Sequence, residues 1–207
     1  MDTRRGTLII ACGALAHEIA ALRRASGATA FDVCCLPPEL HNRPERIAPA
    51  VQEKIRELRG GYRSIFVAYG DCGTGGRLDA VLRQEGVERL PGAHCYEFFA
   101  GARLFAELAD AEPGTFYLTD FLTRHFERLV VSGLGIDRHP ELAQEYFRNY
   151  RKVVYLAQTR SADLLERARQ VASRLGLAFE HRYTGFGDLG ARLTSLPAAD
   201  RTPAWQA

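Results

Sequence analysis

The chain lacks any apolar run approaching the roughly 18 residues that cross a bilayer as a helix, so a helical membrane protein is not expected. It lacks a charge excess: a formal net charge of +2 gives no broad surface for nucleic acid. Lysine is scarce and arginine abundant, but the arginines are interleaved with Glu and Asp along helix-like segments, as on solvated faces. The glycines of Gly70-Asp71-Cys72-Gly73-Thr74-Gly75-Gly76 do not form Gly-x-Gly-x-x-Gly, and no Lys-Ser or Lys-Thr follows, so both nucleotide fingerprints are missing. No Cys-x-x-Cys pair exists, which argues against a zinc ribbon, and five cysteines are an odd number for a disulfide framework. No internal repeat of fixed period is present.

Arg4-Arg5 followed by Thr7-Leu8-Ile9-Ile10-Ala11-Cys12 superficially resembles a lipoprotein signal. Its apolar stretch is shorter than the roughly 7–15 residues of a signal core. The segment after it, with His17 and Glu18 among Ile19, Ala20 and Leu22, has the pattern of an amphipathic helix. A buried first strand is therefore expected, and with it a cytoplasmic protein whose thiols stay reduced for metal binding or chemistry.

What the chain does have is alternation. At 207 residues with 46% hydrophobic content it can bury a substantial core, and one domain over residues 1–196 is expected, with an Ala- and Pro-rich tail at 197–207. Short apolar runs at Leu8-Ile9-Ile10-Ala11, Phe31-Asp32-Val33-Cys34-Cys35-Leu36, Ser64-Ile65-Phe66-Val67-Ala68-Tyr69 and Val153-Val154-Tyr155-Leu156-Ala157 alternate with helix-like segments. A weaker fourth strand is expected from Glu88-Arg89-Leu90 up to His94-Cys95, and a helix across residues 98–108. Asn42 is expected to cap the helix that follows it, with Pro44 in the first turn. The pattern predicts an α/β fold: a mostly parallel, Rossmann-like sheet with helices on both faces.

In such a sheet the carboxyl ends of successive strands lie along one edge, where ligands bind. Cys12, Cys72 and Cys95 each follow an apolar run, so this topology would gather them. Cys72 lies in a glycine-rich turn, where close backbone approach and the following helix favour a thiolate. His41 leaves the same edge in a polar loop between prolines, and His94 adjoins Cys95. Thiolate and imidazole suit zinc, so Cys12, His41, Cys72 and Cys95 are the candidate metal ligands. Glu18, Asn42, Gly73, Thr74, Gly75, His94 and Tyr117 are the candidate substrate contacts. Cys34 and Cys35 are expected in the core, and a surface charge is the ordinary reading of Glu18. A metal-free thiol enzyme with Cys72 as nucleophile stays open, as does an iron–sulfur protein using Cys12, Cys72 and Cys95.

Several segments resemble the uncharacterised domain of unknown function 1638 family. They are Cys12 with Glu18, Leu36-Pro37-Pro38-Glu39-Leu40-His41-Asn42-Arg43-Pro44, Tyr69-Gly70-Asp71-Cys72-Gly73, His94-Cys95, Pro113-Gly114-Thr115-Phe116-Tyr117-Leu118-Thr119 and Tyr183-Thr184-Gly185-Phe186-Gly187-Asp188-Leu189. The resemblance spans nearly the whole chain and places Cys12, His41, Cys72 and Cys95 on motif positions, with Cys95 preferred to His94 as the ligand. It also implies a setting beside corrinoid-dependent methyltransferase systems. The expectation is a protein of one-carbon metabolism that uses zinc or another transition metal, with methyl transfer to a metal-bound thiol. The alternatives are a non-catalytic metal-binding accessory module and an iron–sulfur or redox protein. Its partners would be a small-molecule substrate and a corrinoid protein that brings the corrinoid, with no nucleic acid and no membrane.

Overall fold

A computed structural model describes residues 4–25 and 31–196. The chain forms two compact units: one holds the residues up to His94 and those from Leu189 onward, the other Cys95–Asp188. The expected α/β class, with parallel strands and flanking helices, is the class adopted; the strands are shared between two sheets. The tail at 197–207 lies outside the described residues. Among the described residues no helix is long and apolar enough to cross a membrane.

In the first unit the elements run β1 (Arg5–Cys12), α1 (Ala16–Ala25), β2 (Asp32–Leu36), α2 (Ile47–Leu58), β3 (Tyr62–Ala68), α3 (Arg77–Glu85) and β4 (Glu88–Arg89). Every pairing is parallel and the strand order is β2-β1-β3-β4. β1 is central, which explains its unbroken Leu8-Ile9-Ile10-Ala11 run: both faces are dehydrated, and Ile9 and Ile10 are fully buried. α2 buries Ile47, Val51 and Ile55 at helical spacing. α3 buries Leu78 and Leu82 and ends at Gly86, whose left-handed backbone (φ 63°) closes the helix.

The second unit contains α4 (Cys95–Ala100), α5 (Ala102–Ala111), β5 (Thr115–Leu118), α6 (Asp120–Arg124), α7 (Glu141–Phe147), β6 (Lys152–Ala157), α8 (Ala162–Leu175) and β7 (Ala178–Tyr183). α9 (Gly187–Thr194) follows, its residues from Leu189 belonging to the first unit. The strand order is β5-β6-β7, again parallel. β6 alternates between two apolar clusters: Val153, Tyr155 and Ala157 pack with α8 residues Leu164, Ala168 and Val171, whereas Val154 and Leu156 pack with Leu108. α8 is delimited as its sequence demands, by a Ser161 side-chain cap on the Leu164 N–H and by Gly176 in the left-handed region.

Several local expectations need correction. The fourth strand stops at Arg89 rather than reaching Cys95: Pro91 has no N–H to extend the ladder, and Gly92 turns the chain at φ 135°. Cys95 instead opens α4. The single helix expected over residues 98–108 is two, separated by Gly101 (φ 75°). Asn42 does not cap α2; it closes a 3-10 turn, Pro38–Asn42, and α2 starts at Ile47 without a side-chain cap.

One buried carboxylate ties the second sheet's strand ends together. Asp120 is fully buried at the start of α6 and accepts hydrogen bonds from the Tyr155 hydroxyl (2.7 Å), the Gln158 N–H (3.0 Å), the Thr159 N–H (3.1 Å) and the Thr159 hydroxyl. The Gln158 side chain returns a bond, accepting from the Asp120 N–H at 2.8 Å. Asp120→Ala strands these buried donors, each costing ~1–3 kcal/mol, so a loss of about 3 kcal/mol or more is expected. Urea unfolding followed by far-UV circular dichroism measures it; a midpoint equal to that of wild type contradicts the assignment.

Candidate functional site

The order β2-β1-β3-β4 contains one reversal. From β1 the chain first adds β2 on one side, then returns to add β3 on the other. At such a reversal the connections leave opposite ways, and open parallel sheets bind ligands in the crevice outside the carboxyl ends of the strands, here β1 and β3. β1 ends at Cys12, and β3 runs out through Tyr69 into the loop that holds Cys72.

Three connections build the crevice. After β1, Gly13 passes close to the end of β2: a Cβ there would stand 2.9 Å from the Leu36 carbonyl and 3.0 Å from Pro38 Cδ. The Cys12 sulfur accepts the Ala14 N–H at 3.3 Å, so this thiol caps the turn Gly13–Leu15. After β2, the turn Pro38–Asn42 delivers His41, whose Nδ1 lies 3.8 Å from Cys12 Sγ and 3.0 Å from the Pro38 carbonyl. The His41 ring lies nearly parallel to that of Tyr69, 12° apart with centroids at 6.1 Å.

After β3 the loop is pinned from both ends. The N–H groups of Asp71 and Cys72 donate to the carbonyls of Gly92 (3.0 Å) and Ala93 (2.8 Å). Gly70 must lack a side chain because its Cβ would sit 3.0 Å from the His94 Cα. The Asp71 carboxylate gathers the Thr74 hydroxyl (2.6 Å) and the N–H groups of Gly75 (3.1 Å) and Gly76 (2.9 Å). Among the described residues Cys72 alone, glycine aside, has a positive φ, 50°. A side chain held in the left-handed region is strained, and such strain collects at functional positions.

The electrostatics keep the polar tips neutral. Burial raises the Cys12 thiol to about 12, with the Ala14 N–H acting against it and the neighbouring Cys72 adding to it. Burial raises the Tyr69 phenol as well, with Cys12 next in influence. Burial lowers the His41 imidazole against the pull of the Pro38 carbonyl, so the ring is neutral at pH 7. Asp71 differs: the Thr74 hydroxyl, followed by the Gly76 and Gly75 N–H groups, holds its carboxyl below the usual range despite some desolvation. The buried Tyr69 hydroxyl faces its electrostatic neighbour Cys12 without a hydrogen bond of ordinary geometry. An unmade bond of this kind costs ~1–3 kcal/mol.

The structure sets Cys12 beside His41 and Tyr69, with Cys72 an electrostatic neighbour of Cys12. Cys95 belongs to the second unit, half-buried in the first turn of α4. Among the described residues no three or more His, Cys, Asp or Glu side chains stand grouped for a metal ion. Of the expected substrate contacts, Asn42, Gly73, Gly75 and His94 are exposed in the connections around the crevice, whereas Thr74 is buried. Glu18 is buried in α1 rather than displayed on its surface. Tyr117 is half-buried on β5 of the second unit, against Phe105 and Tyr96. Cys34 is half-buried and Cys35 exposed, because β2 is an edge strand and not core. Sequence reasoning missed Tyr69; its signal was a buried, polar-tipped aromatic directly after the apolar run Ile65-Phe66-Val67-Ala68 that ends β3.

The fold is that of an α/β protein with two parallel sheets, and a thiol, Cys12, ends the strand at which the first sheet's order reverses. The model of the family described as Protein of unknown function (DUF1638) matches residues 35–193, and the chain belongs to that family. Cys12 and Glu18 precede the matched segment. No curated protein and no solved structure matches.

With the buried Cys12 thiol raised to about 12, it is protonated at pH 8, and the protonated thiol is a poor nucleophile. Iodoacetamide at pH 8 is therefore expected to label exposed Cys35 well before Cys12, as read by peptide mass spectrometry. Equal labelling would contradict the buried, protonated state.

Proposed function

We propose that the switch-point crevice binds a soft transition-metal ion, zinc first, through Cys12, His41 and Cys72, and that a small thiol or methylated compound of one-carbon metabolism completes the site. The carrying observation is the convergence of a buried thiol, an imidazole and a phenol on the one reversal of strand order. The residues fit in part. Sulfur and nitrogen bound to one tetrahedral zinc lie ~3.6 Å apart, given Zn–S of ~2.3 Å and Zn–N of ~2.0–2.1 Å. Cys12 Sγ and His41 Nδ1 stand at 3.8 Å, and Nδ1 would reach such an ion by giving up the Pro38 carbonyl. Cys72, an electrostatic neighbour of Cys12, is the third donor of the reading. The Tyr69 hydroxyl supplies a hydrogen bond to whatever fills the crevice.

A bound zinc would lower the pKa of a thiol substrate and hold it as a thiolate, a nucleophile toward a methyl group. Neutral His41 needs no deprotonation to bind, whereas Cys12 must lose its proton. The methyl donor we propose is a corrinoid carried by a partner protein, on the family resemblance alone. Reduced thiols require a reducing compartment such as the cytoplasm.

A second reading is favoured by the backbone at Cys72. A left-handed residue between a strand and a helix presents its side chain sharply, which suits a metal-free nucleophile.

Elemental analysis of protein made with ample zinc separates the two. The metal reading expects close to one equivalent in wild type and its loss in Cys12→Ser and Cys72→Ser. Less than about half an equivalent in wild type counts against it, since structural and catalytic zinc sites bind tightly at neutral pH. Fast alkylation confined to Cys72 in metal-free protein would then support the nucleophile reading.

A further inference from the structure

Asp71 holds the far half of the loop bearing Cys72 from within, through Thr74, Gly75 and Gly76, but the near half is held from outside. Its two leading N–H groups are received by carbonyls of residues 92 and 93, which belong to no helix or strand. Something must fix those carbonyls, and Arg89 is placed to do it. Its Nε and Nη2 form a two-pronged pair with the Asp79 carboxylate at 2.6 and 3.0 Å. Its Nη1 donates to the Leu90 carbonyl at 2.7 Å and to the Gly92 carbonyl at 3.1 Å. The Gly92 carbonyl is thus shared by Arg89 and the Asp71 N–H. Asp79 in turn stands on α3, the helix that the Cys72 loop enters. The guanidinium is held from both sides of the connection it braces, and its side chain is only 14% exposed.

We propose that Arg89 is the positioning residue of the switch-point site: clamped by Asp79, it fixes the chain at residues 90–92 so that carbonyls 92 and 93 hold Cys72 in its left-handed conformation beside Cys12. This rests on the reading of the crevice as a thiol and imidazole ligand site. A planar guanidinium is required because four bonds leave it in fixed directions, which an ammonium cannot reproduce. Pro91 and Gly92 make the span compliant to such bracing: one offers no N–H, and the other takes φ 135°.

The test uses the full chain as wild type, Arg89→Leu, Arg89→Lys and Asp79→Asn, with exposed Arg103→Leu as the control. Two readouts are taken at fixed pH: residue-resolved alkylation of metal-free protein by iodoacetamide, and cobalt(II) titration followed by the thiolate-to-cobalt absorption band. In Arg89→Leu, Cys72 is expected to label about ten-fold faster than in wild type as the loop opens locally, with Cys34 and Cys35 unchanged. Cobalt binding is expected to weaken by about ten-fold or more, the scale found for groups that orient metal ligands, and the band to lose the share of one thiolate. Arg89→Lys should follow Arg89→Leu, since it restores charge without the fork, and the control should match wild type. Should Arg89→Leu not fold, Asp79→Asn carries the test, because it keeps Arg89 and alters a half-exposed carboxylate. Wild-type labelling of Cys72 in the variants, or an unchanged cobalt band and midpoint, overturns the inference. If wild type itself shows no thiolate band while the variants still speed Cys72 labelling, the positioning role stands and the metal reading falls.

Discussion

β1 hydrogen-bonds on both edges and is dehydrated on both faces, and the first unit's site is arranged around that strand. Its register with β2 sets Cys12 opposite Leu36, and its register with β3 sets Ala11 opposite Ala68. These two ladders decide where the chain leaves the sheet and therefore which loops flank the crevice. A slip of one residue would turn Cys12 to the other face and bring a different side chain to the strand end.

The side chains around the crevice are held mainly through backbone. Gly13 and Gly70 are the places where two segments run too close for a Cβ, and each brings together loops that follow different strands. Asp71 folds its own loop by collecting a hydroxyl and two N–H groups, and Arg89 braces the facing loop. The Cys12 sulfur meets a turn N–H and the His41 ring, and the Tyr69 hydroxyl has no hydrogen-bond partner among the described residues.

Much of this frame was readable in advance. β1, β3, β6 and α8 announce themselves by unbroken aliphatic runs or by 3.6-residue spacing with Ser161 and Gly176 at the ends, because burial selects those patterns directly. Cys12 and Cys72 were located at strand ends by the same logic. Cys95 was not, because a two-residue strand leaves too weak a pattern to separate it from the helix that follows. By pattern Tyr69 is one more residue of the third apolar run, and Arg89 one more residue of a weak fourth strand. The placement of Tyr69 comes from neighbours distant in sequence, His41 and Cys12, whereas that of Arg89 comes from a turn three residues on, where it meets the Gly92 carbonyl, and from Asp79.

The sequence by itself determined the α/β class, the parallel strands and the two thiols at the ends of β1 and β3, since hydrophobic period and turn residues act over a few neighbours. Only the tertiary structure decided that the strands divide into two sheets, that Glu18 is buried and Cys35 exposed, and that Cys72 is left-handed. Those outcomes depend on which strand pairs with which and on how closely two backbones approach, and both are settled by contacts between segments far apart in the chain.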